Sequence, residues 1–147
     1  MNLKSENYYA IFNIVSGYVN RISYASEVEK LNDLNELRWK NRVILLLSND
    51  DGKRNKALLS EFDEAVIDRD IVWFIVNDKQ VFSNYAGGVS EQFTTNINKA
   101  FPLEEYPILL IGKDGGIKNK AQKFELELLF STIDRMPMRQ QEMSLKK

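Results

Sequence analysis

Two uninterrupted apolar runs, Val43-Ile44-Leu45-Leu46-Leu47 and Ile71 to Val76, decide what this chain can become. Both are too short for buried helices, and neither shows the alternation of a half-exposed strand. They therefore read as strands covered on both faces. Between them, Ser48-Asn49-Asp50-Asp51-Gly52 is a turn and helix-start cluster. Leu58, Leu59, Phe62, Ala65 and Val66 then recur at helical spacing, and Asp68-Arg69-Asp70 closes that helix. Strand, helix, strand implies a crossover and a parallel pair.

The remaining elements follow from the same logic. Upstream, Leu31, Leu34 and Leu37 step by three, and Arg38 to Arg42 is a polar stretch around Trp39. Downstream, Gly87-Gly88 breaks the chain, and Ser90 can cap a helix with Phe93, Ile97 and Phe101 on its apolar face. Pro102 and Pro107 bracket a connection to a third strand, Ile108 to Ile111, and a fourth runs from Ile117 to about Lys120. Leu126, Leu129, Phe130 and Ile133 mark a last helix, which Pro137 stops, leaving a polar, frayed tail to Lys147. The order is β-α-β-α-β-β-α. A mixed four-stranded sheet with helices on both faces, the α/β thioredoxin-like plan, satisfies it.

With 147 residues, 44% apolar and 28% charged, the chain suits one globular domain. Its net charge of −1 supplies no global field toward nucleic acid or an anionic membrane, so no nucleic-acid partner is expected. There is no cysteine and no histidine. Disulfides, thiolate nucleophiles and Cys-ligated metals are excluded, and the usual general base near neutral pH is missing. No cofactor, metal site or catalytic residue is expected, and any catalysis would rest on Asp, Glu, Lys, Arg, Tyr, Ser or Thr.

Residues 1–25 support two readings. Lys4, the apolar stretch at 8–19 and Ser23-Tyr24-Ala25 follow the order of a signal peptide. Glu6, Asn13, Gly17 and Arg21 fit a short amphipathic N-terminal helix instead. The apolar stretch is too short to span a membrane, and no transmembrane segment is expected.

The segment YPILLIGKDGGIKNK (residues 106–120) poses the sharpest question. A phosphate-cradling loop needs glycines that lead into a helix. Here they lead into Ile117-Lys118, a strand, and Asp114 would repel a phosphate. Asp114-Gly115 reads as the centre of a hairpin turn with positive φ at both residues, with Gly116 allowing a bulge.

Four segments, LNELRWKNRVILLL (34–47), Asp68-Arg69-Asp70, LLIGKDGGIK (109–118) and IDRMPMRQQE (133–142), together resemble the bacterial DUF4174 family. That group is thioredoxin-like and related to repeated domains of vertebrate extracellular-matrix proteins of the equarin kind. The resemblance covers roughly residues 31–143, leaving 144–147 as a polar tail. It implies a thioredoxin-like fold and, often, export, but no agreed activity. Thioredoxins carry reactive cysteines in the loop after the first strand; here Ser48 to Asn55 has none. They also place a cis proline before the third strand, where Pro107 falls.

Candidate binding residues are Arg135 and Arg139, which flank Met136-Pro137-Met138, together with Arg69. Two guanidinium forks beside soft methionines suit a carboxylate, phosphate or sulfate. The same arginines also suit helix capping, or pairing with Asp134 or Glu142. Asp68-Arg69-Asp70 reads as a salt-bridged loop more readily than a cation site. Asn49-Asp50-Asp51-Gly52 reads as a helix cap rather than a calcium loop. Trp39 beside Arg38, Lys40 and Arg42 reads as a partly buried Trp more readily than a cation–π patch. The whole points to a cysteine-free binding module, periplasmic or secreted, whose partner is a protein or an anionic surface polymer. The alternatives are an enzyme working through Asp, Glu, Lys and Arg side chains, and a cytoplasmic location.

Overall fold

A computed structural model describes residues 29–50 and 52–146, so the two readings of residues 1–25 lie outside the described residues. Leu31–Lys147 forms a compact unit of its own. After a 3-10 turn at Asn35–Leu37 come β1 (Arg42–Leu47), α1 (Lys53–Glu61), α2 (Asp63–Asp68), β2 (Ile71–Val76) and β3 (Val81–Ser83). The second half holds α3 (Phe93–Ala100), β4 (Ile108–Ile111), β5 (Ile117–Ala121), α4 (Leu126–Asp134) and α5 (Pro137–Leu145). The fold is mixed α/β, and its sheet has five strands in the order β3-β2-β1-β4-β5.

The two apolar runs are the central parallel pair, with Val43 opposite Val72 and Leu47 opposite Val76. β4 runs antiparallel to β1, and β5 antiparallel to β4. Alternate residues build two cores. Val43, Leu45, Phe74, Leu109 and Ile111 face Leu31, Leu34, Leu37, Phe93 and Ile97. Ile44, Leu46, Ile75 and Leu110 face Leu59, Val66, Leu126, Leu129 and Ile133. Each fully buried Leu or Ile contributes about 1.5–3 kcal/mol, so the sheet is held equally firmly from both sides.

The structure refines the sequence reading in several places. A fifth strand, β3, follows β2, where only three half-buried residues give no periodic signal. The first helix is two helices that meet at Phe62, which is 41% exposed rather than part of a buried stripe. The run Asn49 to Gly52 does supply the cap of α1, but through Gly52 at φ 67 and not through a side chain, while Asp50 Oδ1 accepts from Ser48 Oγ and Gly52 N and orders the turn. Ser90 does not cap α3, whose N-cap is Gln92. Pro107 stands immediately before β4 and its carbonyl accepts from Leu47 N, but its peptide bond is trans.

The difference at Pro137 matters most. The helix with Leu126 and Ile133 does end at Asp134, just short of Pro137, but the chain does not fray there: Pro137 is the first residue of α5, where its fixed φ is pre-set for a helix and its missing N–H costs nothing. The chain turns at Arg135-Met136, Met136 is extended as a residue before proline must be, and a helix continues to Leu145. Residues expected to fray are therefore an element of the fold.

The hairpin between β4 and β5 also differs in detail. Gly112 O accepts from Gly115 N, and Gly112 N donates to Gly116 O. The central turn residues are therefore Lys113 and Asp114, and Gly115 alone sits at positive φ, 87°. This is a type I turn followed by a glycine bulge, the usual three-residue hairpin solution. Asp114 does not need positive φ; its carboxylate accepts from Gly116 N and Lys118 Nζ.

Candidate functional site

Charged groups from five segments meet at the end of the sheet where β1 and β2 begin. Arg42, the first residue of β1, is 1% exposed. It donates to both carboxylate oxygens of Glu142, at 3.1 and 3.3 Å, and to the Arg69 carbonyl at 3.0 Å. Lys113 leaves the hairpin turn inward and donates to Glu142 and Asp70, both at 2.8 Å. Arg139 of α5 donates to the Asp68 carboxylate at 2.6 Å, the Asp68 carbonyl at 2.9 Å and Asp134 at 3.2 Å. Arg69 grips Asp134 through Nε and Nη2 at 3.0 and 2.8 Å, and its guanidinium lies 4.4 Å from the Phe130 ring centre. Lys146 closes the set on Asp68 at 2.7 Å.

The electrostatics follow from these contacts. Hydrogen bonds from Lys146 and Arg139 pull the Asp68 carboxyl down to about 2. Burial works to raise Asp134 and Glu142, but Arg69 and Arg139 on the first, and Arg42 and Lys113 on the second, outweigh it and hold both below the ordinary range. Burial likewise opposes charge on Arg139, and Asp68 and Asp134 more than restore it. All three carboxyls stay ionised well below neutral pH, so none is poised as a general base there. Each cation already faces a carboxylate of the protein. The cluster is a fastener that ties α5 and the hairpin turn to the sheet.

The candidate arginines are thereby separated. Arg139 and Arg69 share Asp134 inside the cluster. Arg135 is exposed and has no side-chain partner among the described residues. Met136 packs against the core under α4, while Met138 is 42% exposed. Arg42, Lys113 and Glu142 are not singled out by sequence as binding residues, yet they lie within the very blocks that carry the family resemblance. Those four blocks, scattered over a hundred residues, converge here.

The same end of the sheet holds two residues other than glycine at positive φ: Trp39 at 66° and Asp70 at 53°. Such conformations cost about 1–3 kcal/mol and persist only where their surroundings enforce them. Trp39 N donates to the Lys113 carbonyl at 2.7 Å, and Asp70 O accepts from Arg42 N at 2.9 Å and from Asn41 Nδ2 at 3.3 Å. The fastener thus holds both. Trp39 is 64% exposed, against the sequence expectation of a partly buried ring, and its indole has no partner among the described residues. Lys40 beside it is exposed and unpaired among them as well.

The match to a family model decides the relationship. It spans residues 33–142 and is described as a domain of unknown function. The chain belongs to the DUF4174 family. No curated protein and no solved structure matches it. In this DUF4174 domain, no helix among the described residues is long and apolar enough to cross a membrane.

Proposed function

We propose that this DUF4174 domain is a non-redox, thioredoxin-like binding module that works in the periplasm or outside the cell, and that Trp39 is the centre of its recognition face. The sheet order supports the fold reading: β2-β1-β4-β5 has the parallel pair and the antiparallel hairpin of the thioredoxin plan, with β3 added at one edge. The observation that carries the functional reading is Trp39, 64% exposed and held at φ 66°. A bulky apolar ring kept in solvent at a strained backbone angle contributes little to the fold. A flat π face flanked by Arg38 and Lys40 suits stacking together with charge pairing.

The ligand we favour is an anionic surface polymer, since stacking and point charges tolerate a repeating, variable chain. The test exploits the two tryptophans, because Trp73 is 4% exposed and silent to surface ligands. Titration with a sulfated or uronate polymer such as heparin should quench Trp39 fluorescence, with affinity falling as salt rises. Trp39→Ala should weaken calorimetric binding by at least about tenfold, roughly 1.4 kcal/mol, with the melt unchanged or raised. Equal binding by the variant would overturn the reading, and so would capture of a protein that does not need Trp39.

A further inference from the structure

Beside the recognition face, a cavity of about 130 Å³ opens between the 3-10 turn and the β4–β5 hairpin. Its floor is apolar: Leu34, Leu37, Val43, Phe101 and Ile111. Its rim is polar, made by Asn35, Arg38 and Asn41, with the backbone at Gly112 and Gly115 completing the wall. The volume approaches the roughly 150 Å³ that holds a benzene ring in an engineered apolar cavity.

Arg38 is fixed over this opening. Its Nη2 donates to the Asp114 carbonyl at 2.9 Å. Its side chain passes close over Gly115, where a Cβ would meet Nε at 2.9 Å and the guanidinium carbon at 3.3 Å. Gly115 therefore does two things: it supplies the positive φ of the bulge, and it leaves room for the guanidinium. One of Arg38's five donors is spent, and the others have no acceptor among the described residues. The Asp114 carboxylate, the nearest competing anion on the hairpin, is turned to Gly116 and Lys118. Asn41 spends its amide on the Asp70 carbonyl, and the Asn35 side chain has no partner among the described residues.

We infer that this cavity binds a small organic carboxylate, with a compact apolar or aromatic group on the floor and the carboxylate on Arg38. A cation held at the mouth of an apolar pocket, with most of its donors unspent, matches that chemistry. The inference rests on a different observation from the polymer reading: Arg38 borders both, but Trp39 does not line the cavity.

The test is an amide NMR titration of the full chain with benzoate, and in parallel with benzamide, its neutral isostere. Benzoate should give saturable shifts confined to Asn35, Arg38, Asn41, Gly112 and Gly115. Its affinity should be weak, on the order of 1 mM, as expected when one ring and one ion pair are buried. Benzamide should bind at least about tenfold more weakly. Arg38→Gln should lose benzoate by a similar factor while the spectrum stays folded. Gly115→Ala should do the same by displacing the guanidinium without touching the floor. Trp39→Phe should leave the titration unchanged, which separates this site from the polymer face. Shifts that fail to saturate, that spread over the basic surface, or that survive Arg38→Gln would overturn the inference, as would benzamide binding as tightly as benzoate.

Discussion

Glu142→Gln removes one negative charge and almost no volume, and it should be among the most damaging single changes in the domain. Arg42, 1% exposed, and Lys113, 9% exposed, both rely on that carboxylate. Deleting one partner of a buried pair costs about 3–5 kcal/mol, because the other charge stays buried and unmatched. Three features set the cost at the lower end: Glu142 is 22% exposed, Lys113 keeps Asp70, and Arg42 keeps the Arg69 carbonyl. We expect about 3 kcal/mol. For a domain of this size that is a fall of about 10 °C in Tm. Chemical denaturation should show the same loss as a lower midpoint at unchanged slope. A companion variant sharpens the test. Adding Arg42→Met to Glu142→Gln removes the stranded cation and should recover at least half of the loss, since an apolar side chain tolerates that position where a lone charge does not. A Tm drop under about 3 °C for Glu142→Gln, the scale of an exposed ion pair, would show that the cluster is solvated surface, and the fastener argument would fail.

Other outcomes follow from the same contacts. Arg139→Ala should destabilise by about 2–4 kcal/mol, having left Asp68 and Asp134 facing an empty buried position, while Arg135→Ala should stay within about 0.5 kcal/mol; thermal melts of the two single variants check this. The carboxyls of Asp68, Asp134 and Glu142 are depressed in the folded state, so their contribution is complete above their unfolded values near about 4. It is lost as pH falls toward the folded value of about 2 for Asp68. Melts should therefore be flat from neutral down to about pH 5 and should drop between about pH 4 and pH 2. Gly115→Val should cost about 1–3 kcal/mol from positive φ, and more from the collision with Arg38, read as a lower urea midpoint.

The strands and the two cores are legible in the sequence because their information is periodic. Val43 to Leu47, Ile71 to Val76 and Ile108 to Ile111 are continuous apolar runs, and all are fully or almost fully buried. The last helix is illegible for the opposite reason. The inward face of α5 is Arg139 and Glu142, spaced as a helical face should be but charged, with exposed Lys146 pairing at its C-cap, and no hydrophobic pattern reports a face that packs through ion pairs. Proline compounded this, since Pro137 marks a helix end and a helix start equally well. The two functional candidates differ in the same way. Trp39 is visible as a residue, but its exposure depends on a backbone bond to Lys113, seventy-four positions on, which no local pattern encodes. The cavity under Arg38 depends on where Gly115 falls in the turn. The sequence shows the glycine, but it does not show the side chain from another segment that lies on it.

The bond between Arg42 and Glu142 joins residues 100 positions apart. During synthesis at about 5–20 residues per second, β1 therefore waits at least about five seconds for its counter-ion. The sheet, both cores and the hairpin have all been made by then, yet two cations bound for the interior still lack the anion they share. The anion that both cations share is thus made after Ile133, the last fully buried apolar residue of the second core, on the final helix among the described residues. A chain cut before residue 142 would keep every strand and nearly all of its core, and would still be left with Arg42 unmatched at the base of its central strand.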